Sequence, residues 1–159
     1  MTSVSFTTDI YRRKENKMAI RQISVFVENQ KGKLYETLKV IADEGINIRA
    51  LSVADTNDFG VLRLITSDTD KTKEVLSKDC VVNTTTVIAA KLEDRVGALC
   101  DVIHILANAG INIEYVYAFT ASEDFGAYVV IRVDDVEKAQ AALVAENVPT
   151  LNEEDIKDI

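Results

Sequence analysis

Apolar residues along this chain fall into two rhythms, and the same succession of rhythms occurs twice. Residues 21–27 alternate, with Ile23, Val25 and Val27 on one face, and Ile88, Ala90 and Leu92 repeat that spacing further on. A period of two marks a strand buried on one face. After Gly32 and again after Gly97 the period lengthens. Leu34, Leu38, Ile41 and Ala42 form one set, and Leu99, Ile103, Leu106 and Ala107 the other. Each set makes one apolar stripe on a helix of about three turns. Gly45 and Gly110 stand where a helix C-terminus favours positive φ. Residues 46–54 and 111–119 then read as second strands, 55–58 and 120–124 as polar hairpin loops, and 60–65 and 126–133 as third strands. A second helix follows each time. It covers 71–78 with Asp68, Thr69 or Asp70 as its cap, and 136–146 with Asp134 or Asp135. Short fourth strands fit 81–83 and 148–151, where Pro149 suits a sheet edge.

The order is therefore βαββαβ twice, which predicts an α+β chain of two tandem ferredoxin-like units with antiparallel sheets. Identities support the repetition. At a shift of 65 positions, residues 28–48 fall on 93–113 with 8 of 21 pairs identical: Glu28/Glu93, Gly32/Gly97, Leu34/Leu99, Ala42/Ala107, Gly45/Gly110, Ile46/Ile111, Asn47/Asn112 and Ile48/Ile113. Ordinary composition gives roughly one or two. One inserted residue later, Asp58-Phe59-Gly60 falls on Asp124-Phe125-Gly126. The expected organisation is a leader over 1–18, a first unit over 19–83, a second over 84–151 and an acidic tail over 152–159. The leader lies outside both repeats and lacks periodicity, so Met18 is expected as the native start and the tail as a solvated segment or short helix. Units of this size bury little core alone, so pairing of units and a homodimer are expected.

Composition narrows the function. With 18 Lys and Arg against 26 Asp and Glu, the formal net charge is −8. A nucleic-acid partner wants a basic face, so that class is disfavoured. No apolar run is long enough for a transmembrane helix, and no membrane partner is expected. Cys80 and Cys100 both lie in apolar segments, which argues against a disulfide framework and makes a reducing cytoplasm the expected compartment. The chain has one histidine, His104, which cannot build a metal site alone. Nucleophile–base pairings and phosphate loops are missing too, so no catalysis and no cofactor are expected. Tyr115, Tyr117 and Phe119 alternate on one strand face and suit packing more than base stacking.

The run V-F-V-E-N-Q-K-G-K-L, then a helix, then G-I-N-I-R-A-L-S-V-A-D resembles the ACT domain, a regulatory module often attached to enzymes of amino-acid metabolism. The second copy, with E-D-R-V-G-A-L and G-I-N-I-E-Y-V-Y, resembles it as well, and together they cover nearly everything from residue 19 to 148. The whole is similar to small stand-alone tandem-ACT proteins. The resemblance implies a free amino acid bound at an interface between ACT units. Its site residues would be Asn29, Gln30, Lys31, Gly32, Asn47 and Ile48 in the first copy, and Asp94, Arg95, Val96, Gly97, Asn112 and Ile113 in the second. Serine-binding members carry a histidine two residues before the loop Asn, and many have a proline before the glycine. Here Val27 and Leu92 take the first place, and Lys31 and Val96 the second, which counts against serine. A regulated enzyme of amino-acid metabolism is the implied partner. The alternative, a regulatory small subunit of acetolactate synthase, has similar length but does not repeat the loop-glycine-helix motif found here from Gly97 to Ile113.

The chemistry of the loop suits such a ligand. A helix start offers unpaired N–H groups and partial positive charge to a carboxylate, and a glycine leaves the approach clear. Asn29 can donate and accept, whereas ionised Asp94 only accepts and suits an ammonium. Each residue also has a structural reading: Gly32 and Gly97 as tight-turn residues, Asn29 and Asp94 as helix caps, Asn47 and Asn112 as turn residues after the helix.

Overall fold

The alternation of the first strand turns its predicted face inward. In β1 (Ile20–Glu28), Ile23, Val25 and Val27 are buried, while Phe26 on the opposite face is 48% exposed. The structure, a computed structural model, describes residues 19–55, 58–120 and 126–159. The leader expected at 1–18 and most of the two hairpin loops lie outside them. The described chain divides into two units, Arg21–Thr85 with Ile156–Ile159, and Thr86–Asp155 with Ala19 and Ile20.

In the first unit β1 is followed by α1 (Lys33–Asp43), β2 (Ile48–Asp55), β3 (Phe59–Thr66) and α2 (Thr69–Leu76). β3 pairs antiparallel with β1, from Ile23 opposite Leu64 to Glu28 opposite Phe59, and with β2, from Ile48 opposite Thr66 to Asp55 opposite Gly60. Ile41, Leu62, Leu64, Val75 and Leu76 close the core between helices and sheet. The second unit repeats this plan with α3 (Ala98–Asn108), β5 (Ile113–Thr120), β6 (Ala127–Val133) and α4 (Val136–Ala145). β6 lies between β5 and the later half of β4 (Val82–Leu92), and Ile88, Leu106, Val129, Ile131 and Leu143 form its core.

Both first helices end identically. The Gly45 N–H donates to Ala42 O (3.0 Å) and the Ile46 N–H to Ile41 O (3.2 Å); Gly110 and Ile111 bond Ala107 O (2.9 Å) and Leu106 O (3.0 Å) in the same way. This is the Schellman arrangement, with the glycines at φ 69° and 67°. Its apolar contact joins Ile46 to the Ile41 core and Ile111 to the Leu106 core. The second strands consequently start at Ile48 and Ile113, two residues later than the alternation predicts, because Ile46 and Ile111 are spent on ending the helix.

One further expectation needs correction and another is narrowed to one of its alternatives. Separate short strands were expected on either side of the unit boundary, but β4 runs unbroken through it for 11 residues. No glycine or proline interrupts Val82–Leu92, and Thr84, Thr85, Thr86, Val87 and Ile88 are all β-branched and favour extension. The acidic tail is not simply solvated. It forms α5 (Glu153–Asp158), in which Ile156 is only 3% exposed, and the Arg49 guanidinium donates to Lys157 O at 2.8 Å. Asn152 Oδ1 accepts from the Glu154 and Asp155 N–H groups while Asp155 Oδ2 accepts from the Asn152 N–H, a reciprocal cap. The fourth strand of the second unit is one bridge, Ala90 opposite Thr150, flanked by Lys91 N–H to Pro149 O at 2.8 Å. Pro149 accepts there and has no N–H to waste, as an edge position requires.

Candidate functional site

The loops entering α1 and α3 follow one backbone path. The Gln30 N–H donates to Glu28 O (2.8 Å), Lys33 N–H to Gln30 O (3.2 Å) and Glu36 N–H to Gly32 O (2.9 Å). In the second loop, Arg95 bonds Glu93 (2.9 Å), Ala98 bonds Arg95 (3.3 Å) and Asp101 bonds Gly97 (3.0 Å). Gly32 and Gly97 occupy the left-handed region, at φ 87° and 88°. A Cβ on either would meet nothing within 4 Å. Backbone conformation, and not crowding, therefore demands glycine here, and the space beside it is open.

The helix starts divide into two kinds. α2 and α4 are capped by their own aspartates: Asp68 accepts from the Lys71 N–H and Asp135 from the Lys138 N–H, both at 3.0 Å. α1 and α3 begin at the left-handed glycines with no side-chain cap. Asn29 and Asp94 do not cap, so that structural reading fails for both. The Lys33 and Ala98 N–H groups are taken by the loop carbonyls, so in the first turns the N–H groups of Leu34 and Tyr35, and of Leu99 and Cys100, are the ones left to solvent or to a ligand.

Asn47 and Asn112 have a clear local role. The Asn47 N–H donates to Ser67 Oγ (3.0 Å), and the Asn47 carbonyl accepts from the Ser67 N–H (2.9 Å). Asn112 makes the same clasp with Asp134, through Oδ1 at 3.1 Å and the backbone N–H at 3.2 Å. Sheet register puts these asparagines far from the loops. β1 ends at Glu28 opposite Phe59, whereas Asn47 precedes Ile48, which lies opposite Thr66. A strand rises about 3.3 Å per residue, so roughly 25 Å separates the two ends of a unit. Within one unit the structure brings Asn29, Gln30, Lys31 and Gly32 together, and it places Asn47 and Ile48 at the other end. The second unit has the same arrangement, with Asp94–Gly97 at one end and Asn112 and Ile113 at the other.

The loops differ in their side chains. Arg95 is held by Glu93 Oε2 and Asp101 Oδ2, both at 2.6 Å, and the two carboxylates push its already high pKa further up. Gln30 takes the arginine's place in the first loop and cannot form these ion pairs. Beside the clamp, Val96 is 100% exposed. The clamp was not recognised in the sequence, although Glu93 and Asp101 flanking Arg95 across a turn was the available signal. Ser67 and Asp134 were also missed. Their signal was a polar side chain directly after the third strand in both copies.

The model of the ACT domain pair family matches residues 18–159. A crystal structure of a protein from Bacteroides thetaiotaomicron is 37% identical, with a TM-score of 0.84, covering 91% of this chain and 99% of that one. The ligand-free regulatory subunit of aspartate kinase from Thermus thermophilus is 17% identical with a TM-score of 0.56, over 80% of this chain and 90% of that one. A structure of aspartokinase alpha and beta subunits is 20% identical with a TM-score of 0.55, over 82% and 94%. At these identities the last two show a shared fold. No curated protein matches in sequence.

Proposed function

The chain belongs to the ACT domain pair family, and on that premise we propose that it is a non-catalytic regulatory protein that binds a free amino acid at an interface between ACT units. One observation carries the reading. Of the four helices of the repeated plan among the described residues, only the two that follow left-handed glycines begin without a side-chain cap, and these are the helices of the repeated motif. A carboxylate would take their N–H groups, and an ammonium would meet Asn29 or Asp94.

The rest of the site follows from distance. An amino acid is far shorter than the roughly 25 Å between the loop and the start of the second strand. Asn29, Gln30, Lys31 and Gly32 of one unit would therefore share a ligand with an Asn47–Ile48 or Asn112–Ile113 strand start of another unit. Asp94, Arg95, Val96 and Gly97 would do the same. A ligand so placed cements the assembly, which makes a homodimer the natural responding state and an enzyme of amino-acid metabolism the natural partner. The aspartate kinase regulatory subunit offers a precedent for such a role on this fold.

Calorimetry with the twenty amino acids tests the site. One of them should bind, and Asn29→Ala or Asp94→Ala should weaken it by roughly 10- to 150-fold, the worth of a hydrogen bond to a charged group. No binding at all, or binding that ignores both variants and Gly32→Val, would rule the loops out.

A further inference from the structure

The first unit contains a cleft of about 530 Å³ that the loop site does not use. Val27, Thr37, Val40, Val75 and Leu76 line it together with Phe26, Phe59 and Val81. Several of these are well exposed for apolar groups: Phe26 48%, Phe59 49%, Val40 38% and Val81 70%. The polar lining is Glu28, Lys33, Glu36 and Asp79, with the Cys80 thiol between them. Lys33 is engaged by Glu36 at 2.9 Å, so the rim keeps an excess of carboxylate from Glu28 and Asp79. Burial, with the Asp79 carboxylate beside it, pushes the Cys80 thiol up.

The second unit lines the corresponding place differently. At the repeat offset, Ala98, Val102 and Ile105 stand for Lys33, Thr37 and Val40. Counting from the capping aspartates Asp68 and Asp135, Val148 stands for Val81. There Ile105 and Val148 pack against the core, whereas Val40 and Val81 are exposed. The same framework turns these apolar side chains onto the core in one copy and leaves them exposed, with Lys33 at the rim in place of Ala98, in the other.

We infer that the first-unit cleft is a binding site for an amine-bearing small molecule with an aromatic or branched apolar body. The volume falls within the roughly 300–1,000 Å³ of small-molecule sites, which combine apolar walls with a few placed polar groups. The ammonium would lie at Glu28 and Asp79, and the apolar body between Phe26, Val40 and Val81. The inference stands independently of amino-acid binding at the loops.

The two cysteines provide the readout, since Cys80 lines the cleft and Cys100 is exposed in the other unit. Alkylation by iodoacetamide is followed at each thiol by mass spectrometry on the full chain, with 2-phenylethylamine as the probe. At ten times its Kd the amine should slow Cys80 about tenfold, because only about one site in ten stays open, and leave Cys100 unchanged. Phenylacetate should protect far less. The double variant Glu28→Gln, Asp79→Asn changes exposed positions only, and should weaken the amine roughly two- to fivefold per carboxylate. Asn29→Ala should leave the protection intact, which separates this site from the loop. Protection of neither thiol, equal protection of both, equal protection by phenylacetate, or an affinity indifferent to the double variant would each overturn the inference.

Discussion

The two units share a backbone and differ in what they expose. Helix-ending glycines, left-handed loop glycines and a register irregularity at the start of the second strand recur in both, at Ile48/Ala50 and Ile113/Tyr115. Their sheets do not agree. In the second unit Val87, Ala89, Tyr128 and Val130 are buried on the face opposite the Ile88 core, and Phe119 stacks on Tyr128 at 5.6 Å. In the first, Phe26 and Phe59 lie half exposed on the corresponding face. The loops diverge as well, one clamped by Arg95 and the other carrying Gln30. Positions that repeat are those the fold requires, and positions that drift are where the units can take different work.

The strongest way to break that equivalence is through the cores. Ile41 and Leu106 hold the same place in the two Schellman arrangements and are both fully buried. Ile41→Ala and Leu106→Ala should each cost about 2–5 kcal/mol in urea unfolding. A cost confined to one would mean that only one helix end anchors its unit.

Next in size come the loop glycines. Gly32→Ala and Gly97→Ala meet no neighbour, so each should cost only the left-handed strain, about 1–2 kcal/mol. A markedly larger loss at one of them would show that its loop is held by more than backbone conformation.

The clamp sharpens the comparison further. Arg95→Gln should cost about 0.2–1 kcal/mol, since its ion pairs are exposed. The clearer effect should be on dynamics: amide exchange in residues 94–97 should rise to the level of 29–32. Gln30→Arg, flanked by Glu28 and Glu36, should do the reverse. Exchange rates that ignore both changes would deny the clamp any role in ordering the loop.

The smallest effect concerns pH. The Arg21 guanidinium, bonded to Asp70 at 2.6 Å, holds that carboxyl below its ordinary value. A depressed pKa gives stability that is present above the usual carboxylate range and lost as pH falls through the lowered value. The second unit carries Thr86 and Glu137 in the matching places and lacks the pair. Asp70→Asn should therefore flatten the acid limb of stability slightly, as read from urea midpoints across pH. An unchanged limb would leave the pair without thermodynamic weight.

Much of this molecule was legible in one dimension. Alternation located the inward faces of β1 and of the later half of β4, and glycine spacing located both helix ends, because those signals are local: a strand's period and a left-handed cap depend on a few neighbouring residues. The capping aspartates were legible for the same reason. Strand starts at Ile48 and Ile113 were not, since Ile46 and Ile111 satisfy a strand pattern and a helix-ending contact equally well until the core chooses.

Tertiary structure decided the rest. That β4 continues through the unit boundary depended on both of its ends finding pairing partners. That Ile156 is buried depended on a surface waiting for it. Separation decided the candidate site. Asn29 and Asn47 are close in the repeated motif, but the 11-residue helix α1 between them carries the chain back along the sheet and sets them at opposite ends of a unit. Sequence specified which residues are special, because special backbone angles and apolar periods are written residue by residue. Only the folded chain decided which of them can meet, because meeting is a property of register.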